Sequence, residues 1–131
     1  MKQTNNDLQN LFNAIENNDI VAVKKSIENG VDINVRDTWT LAALDWACIF
    51  NLTEIAEVLI NANANLDAKD NFKRNAFYYA CIFGCPEIVK LLLEKGGADV
   101  NARDYYNKTA FDYAKENNNQ EIIDLLENYK N

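Results

Sequence analysis

The feature that most constrains this chain is a short string written three times. It reads Gly30-Val31-Asp32-Ile33-Asn34-Val35-Arg36-Asp37, then Asn63-Ala64-Asn65-Leu66-Asp67-Ala68-Lys69-Asp70, then Gly96-Gly97-Ala98-Asp99-Val100-Asn101-Ala102-Arg103-Asp104. The closing aspartates stand 33 and 34 residues apart. A period of that length marks one supersecondary unit that cannot bury its apolar face alone, so neighbouring units must stack.

The text after each aspartate aligns as well. Leu44, Phe77 and Phe111 share a column, as do Ala47, Ala80 and Ala114, and Cys48-Ile49-Phe50 matches Cys81-Ile82-Phe83. The second half of each unit holds EIAEVLI, EIVKLLL or EIIDLLE. Ile55, Val58 and Leu59, like Ile88, Leu91 and Leu92, follow the i, i+3, i+4 spacing of one buried helical face. Pro86 sits where a helix starts, a position that tolerates its missing N–H. The first half predicts a shorter helix whose central alanine lets neighbours approach closely. Residues 7–29 repeat the helix pair without a leading loop, with Ala14 standing 33 residues before Ala47.

These residues resemble the ankyrin repeat, whose pattern runs D-x-x-G-x-T-P-L-H-x-A-A-x-x-G and then E-I-V-x-x-L-L-x-x-G-A-D-V-N. The resemblance covers about residues 7–129. It implies an all-α solenoid of about four stacked helix-turn-helix units with projecting hairpin-like loops. Residues 1–131 then form a single domain, divided into an N-terminal capping pair over 7–36, repeats over 37–69 and 70–103, and a C-terminal capping repeat over 104–131. The family's Thr-Pro-Leu-His becomes Ala42-Ala43-Leu44-Asp45, Asn75-Ala76-Phe77-Tyr78 and Thr109-Ala110-Phe111-Asp112. Family glycine columns hold Thr40, Lys73, Asn107, Asn51, Asn118 and Asn63. Several of these require a left-handed backbone, which Asn tolerates best after Gly, and that gives some of the 21 asparagines a structural task. Gly97 is the inserted residue of the longer period and is expected to form a local bulge.

Composition narrows the function. The net charge of −7 argues against nucleic acid or an anionic membrane as main partner. The chain has no histidine, which removes the commonest general base and metal ligand. No phosphate loop, nucleophile elbow or metal-ligand spacing is written in it. The acidic residues Glu54, Glu57 and Glu121 fall on solvent-facing helix positions. A non-enzymatic chain without cofactor or metal is expected. The polar start MKQTNNDLQN has no apolar signal core, and no apolar run approaches a membrane span, so a cytoplasmic location is expected. Cys48 and Cys81, one helix spacing apart, read as buried reduced thiols. Cys85, in the turn before Pro86, reads as a turn residue, with a reactive thiolate as the alternative.

Function is expected in the columns that the family leaves variable. The resemblance implies binding of other proteins through loop tips and a concave face lined by the first helices. Trp39, Phe72 and Tyr106 follow each repeat-opening aspartate by two residues and are placed at successive loop tips, beside Leu41, Arg74 and Tyr105. Ile49, Phe50, Ile82 and Phe83 stand at the far ends of the first helices. Together these ten residues form the candidate partner-binding stripe, rich in the residue types of interface hot spots. Shielding of one loop by the next is the alternative for the tip rings. Trp46, Tyr79 and Tyr113 are expected to pack between first helices with their polar atoms at the concave edge. The partner is expected to be a basic protein, scaffolded or inhibited. A regulatory alternative has Asn101, inside the segment Leu93–Asn101, as a hydroxylation substrate, as the resemblance allows; against it stands an asparagine that bonds its own loop backbone. Polar ends, with Lys24, Lys25 and Ser26 on one side and Asn117–Gln120 and Glu127–Asn131 on the other, are expected to cap a complete monomeric array.

Overall fold

The computed structural model describes residues 5–96 and 99–130. Among them are eight helices and no strand: α1 (Asn5–Glu16), α2 (Ile20–Glu28), α3 (Ala43–Ile49), α4 (Thr53–Asn61), α5 (Ala76–Ile82), α6 (Pro86–Glu94), α7 (Ala110–Glu116) and α8 (Gln120–Lys130). The odd-numbered helices stack in one layer and the even-numbered helices in a second, each pair joined by a tight turn. The fold is the all-α solenoid that the repeat implies. The expected bulge at Gly97 lies outside the described residues.

Side-chain oxygens start several helices. Asp19 Oδ1 accepts from Ala22 N at 3.1 Å, Asn75 Oδ1 from Tyr78 N at 3.2 Å, and Asn119 Oδ1 from Ile122 N at 3.2 Å. At α7 the box is reciprocal, because Asp112 Oδ2 also accepts from Thr109 N. Each such contact satisfies an amide that the helix leaves orphaned. The alanine column Ala47, Ala80 and Ala114 is fully buried where first helices meet. Ile55, Leu59, Ile88, Leu92, Ile122 and Leu126 fill the space between the layers.

Left-handed backbone recurs at three places per unit. The turn inside each helix pair uses Asn18, Asn51, Gly84 or Asn118; the end of the second helix uses Gly30, Asn63 or Gly96; the loop tip uses Thr40, Lys73 or Asn107. All six substituted family-glycine positions, in three columns, therefore keep the positive φ that the glycine would supply. At Gly84 a Cβ would meet Asn119 Nδ2 at 2.9 Å, so this copy has a spatial reason to stay glycine as well.

One expectation about the ends is corrected. Lys24 and Lys25 face solvent, but Ser26 is buried. It lies three residues after buried Val23, on the inner face of α2.

Candidate functional site

Each loop is closed by its own aspartate. Asp37 N donates to Leu41 O, Asp70 N to Arg74 O, and Asp104 N to Lys108 O, all at 2.9 Å. The same side chains hold the tip from within. Asp37 Oδ1 accepts from Trp39 N and Leu41 N, Asp70 Oδ1 from Phe72 N and Arg74 N, and Asp104 Oδ1 from Tyr106 N and Lys108 N. The outer oxygen takes a third donor nine residues on. Trp46 Nε1 donates to Asp37 Oδ2 at 2.6 Å, and the hydroxyls of Tyr79 and Tyr113 donate to Asp70 Oδ2 and Asp104 Oδ2. An ionised carboxylate offers about four acceptor positions, so one side chain can tie the tip to the first helix. Burial, and then the bond to Asp70, raises the Tyr79 hydroxyl above its ordinary range, which keeps it a donor.

The seam between the second and third loops carries one more partner. Arg74 Nε donates to Asp104 Oδ2 at 3.0 Å and Arg74 Nη2 to Tyr113 OH at 2.8 Å. Its guanidinium carbon lies 5.3, 5.7 and 5.1 Å from the ring centroids of Phe72, Tyr106 and Tyr113, within cation–π range. Burial opposes the charge of Asp104, but bonds from Tyr113, the Lys108 backbone and Arg74 outweigh it and hold the carboxyl below the usual range.

Around this frame the large apolar side chains stay in solvent. Trp39 is 73% exposed, Tyr105 70%, Tyr106 59% and Phe72 45%. Phe72 and Tyr106 stack with centroids 6.3 Å apart, and Tyr105 meets Tyr106 edge-on. Tyr105 N also donates to Phe72 O at 2.8 Å, locking adjacent tips. The rings continue down the first helices. Phe50 stacks on Trp46 at 5.5 Å and Phe83 on Tyr79 at 6.5 Å, and both phenylalanines are exposed at their helix ends. A cavity of about 380 Å³ opens where the last turn of α1 faces the first loop. Its walls include Phe12, Glu16, Asp37, Trp39, Trp46 and Phe50.

The family model for ankyrin repeats in three copies matches residues 11–104 and 71–131. This chain belongs to the ankyrin repeat family. Curated relatives include alpha-latrotoxin-Lg1a of Latrodectus geometricus, 32% identical over 125 residues that are 93% of this chain and 9% of the toxin. Ankyrin repeat protein L371 of Acanthamoeba polyphaga mimivirus is 29% identical over 126 residues, 96% of this chain and 16% of that protein. The chain thus spans well under a fifth of either relative's length. Ankyrin repeats are generally protein-interaction modules, and the family is generally non-enzymatic. No helix among the described residues is long and apolar enough to cross a membrane.

Within this ankyrin frame the candidate residues divide. Trp39, Phe50, Phe72, Phe83, Tyr105 and Tyr106 project outward. Ile49 and Ile82 are half-buried against the core. Leu41 is withdrawn from the exposed stripe: its apolar side chain is buried in the core, whereas Arg74 and Lys108, with the same amide tie to their loop aspartates, stay partly exposed. Arg74 is committed to Asp104 and Tyr113. Cys85 is fully buried, donates its thiol to Cys48 O at 3.2 Å, and is pushed up to about 11 by burial; the reactive alternative has no support in this environment.

The family's histidine column also diverges. Tyr78 donates to Ala102 O and Lys108 O, tying α5 to the next loop. Asp45 is buried; burial pushes its carboxyl up to about 7, against the pull of the Ala42 amide and of Arg36 at 3.8 Å. In the connector, Asp99 Oδ1 makes the local turn by accepting from Asn101 N, and Asn101 itself is exposed. Sequence reasoning missed the aspartate-to-aromatic bond and the cavity beside α1. The first was detectable, since the spacing of nine recurs in all three loops.

Proposed function

We propose that this ankyrin domain binds a partner protein through its loop tips and the adjoining ends of its first helices. The observation that carries the reading is the run of exposed aromatic side chains at Trp39, Phe72, Tyr105, Tyr106, Phe50 and Phe83, held on rigidly bonded loops. Exposed apolar surface of this kind, built from Trp and Tyr, supports a binding role. Loops pinned by their own aspartates lose little freedom on binding, which favours affinity. A net charge of −7 favours a basic partner and speeds encounter. The domain acts as a monomeric cytoplasmic scaffold or inhibitor in this reading, and its three unpaired thiols accord with a reducing compartment.

The test compares wild type with Trp39→Ala, Phe72→Ala and Tyr106→Ala, singly and combined, in affinity capture followed by mass spectrometry and then titration of the partner so identified. Loss of one anchor should cost ~2 kcal/mol or more of affinity. Unchanged titration by the folded combined variant would sink the reading.

A further inference from the structure

All three loops set a carboxylate between two rings, and among the described residues only the seam into the third is filled by an arginine. In the third loop, Asp104, Tyr106 and Tyr113 form a carboxylate flanked by two rings. The preceding loop supplies Arg74, which bonds Asp104 Oδ2 and lies over both rings. Sixty-seven residues earlier stand Asp37, Trp39 and Trp46 in the same columns. Asp37 holds its tip through Oδ1 as Asp104 does, and its Oδ2 accepts from Trp46 as that of Asp104 accepts from Tyr113. In the first unit that column, six residues before the buried alanine, holds Leu8 of α1, and no lysine or arginine takes the place of Arg74 among the described residues. The surface instead opens as the 380 Å³ cavity, a volume in the range of small-ligand clefts.

The other walls suit a cation. Phe12 and Phe50 add aromatic surface. Glu16 adds a carboxylate that makes no ion pair with any described residue. It closes α1, whose last turn carries no basic residue, so the negative end of the helix dipole and the Glu16 charge reinforce one another. No lysine or arginine lines the cavity among the described residues.

We infer that this cavity receives an arginine side chain of the partner, which takes the place that Arg74 occupies two seams along. The inference rests on the protein-binding reading above and names its chemistry. A planar guanidinium can stack on Trp39 or Trp46 while donating to Asp37 Oδ2 and Glu16 together. A lysine ammonium matches the charge but lacks the planar fork and the stack.

The probe is the peptide acetyl-Gly-Gly-Arg-Gly-Gly-amide, with the citrulline and lysine peptides for comparison. Trp39 and Trp46 are the two tryptophans of the chain, so intrinsic fluorescence and the two indole N–H resonances both report on the cavity. The arginine peptide should shift the Trp46 indole resonance saturably, since that N–H shares Asp37 Oδ2 with the incoming guanidinium. Citrulline, isosteric and neutral, should leave it in place, and lysine should bind several-fold more weakly. Glu16→Gln and Trp39→Ala should each weaken the arginine peptide by about three- to tenfold, while Tyr106→Ala leaves it unchanged. A Trp46 resonance unmoved by the arginine peptide overturns the inference, and so does an equal response to citrulline or lysine. If that resonance stays fixed while Phe72→Ala/Tyr106→Ala still abolishes partner binding, the arginine site is wrong and the interaction module stands. If the peptide binds but the partner titrates equally with the Phe72/Tyr106 pair removed, the arginine site stands and the tip anchors fall.

Discussion

Arg74 reaches across a repeat boundary to place its Nε 3.0 Å from Asp104 Oδ2, a carboxylate with no side-chain exposure. Removing the arginine leaves that buried charge with fewer donors, which costs more than the net worth of the bond. Arg74→Met should therefore destabilise by about 2 kcal/mol in urea unfolding. Paired with Asp104→Asn, a double-mutant cycle should show coupling above ~0.5 kcal/mol. Strict additivity would mean that the contact contributes nothing specific.

Tyr79 and Asp70 are both buried and bonded to each other. Tyr79→Phe keeps the ring and deletes the donor, so it should cost about 1–2 kcal/mol. Tyr129→Phe, on an exposed side chain, serves as the control and should lie within ~0.5 kcal/mol of wild type.

Asp45 gives stability a pH dependence of unusual sign. Its carboxyl rises from 3.8 to about 7 on folding, chiefly through burial, so the folded state binds the proton more tightly than the unfolded chain. The resulting stabilisation is fully present below pH ~4 and is lost as pH climbs to about 7. The whole shift corresponds to roughly 4 kcal/mol at most. Asp104 and Asp112, held below their ordinary range, titrate in the opposite sense. Asp45→Asn isolates the effect: relative to wild type its stability should rise between pH 4 and 7 and then level off. A difference that stays flat across that window would contradict the burial of an ionisable Asp45.

Lys73 holds φ at 61° on an exposed loop tip. A left-handed backbone costs a residue with a Cβ about 1–2 kcal/mol, partly offset by the extra freedom that glycine has when unfolded. Lys73→Gly should raise stability by ~0.5–1 kcal/mol, and Lys73→Ala should not. Thermal melts of the two variants decide this.

All three thiols are buried. Ellman's reagent should find no fast-reacting cysteine in the native protein and all three in denaturant. A fast native thiol would contradict the packing of Cys85 beneath Cys48.

Most of the architecture was legible because it is periodic. Helix faces, the alanine column and the left-handed asparagines each recur in phase, and repetition turns a weak local signal into a firm one. What stayed hidden depended on a neighbour one repeat away. Leu41 and Arg74 share a column, yet one enters the core and the other bridges to Asp104 and Tyr113. Residue type separates them only once the facing surface is known. The cavity beside Asp37 was harder still, since it depends on how the last turn of α1 faces the first loop. Exposure of Trp39, Phe72 and Tyr106 followed from their place at the tips, while the stacking of Phe72 on Tyr106 required three-dimensional proximity.

The bonds from Asp37 to Trp46, Asp70 to Tyr79 and Asp104 to Tyr113 each span nine residues. Contacts this local close before long-range ones, because the loop entropy to be overcome is small. The carboxylate can thus hold each tip to its first helix at little entropic cost once neighbouring units stack. Folding can then begin at whichever neighbouring pair of repeats stacks first and spread from there.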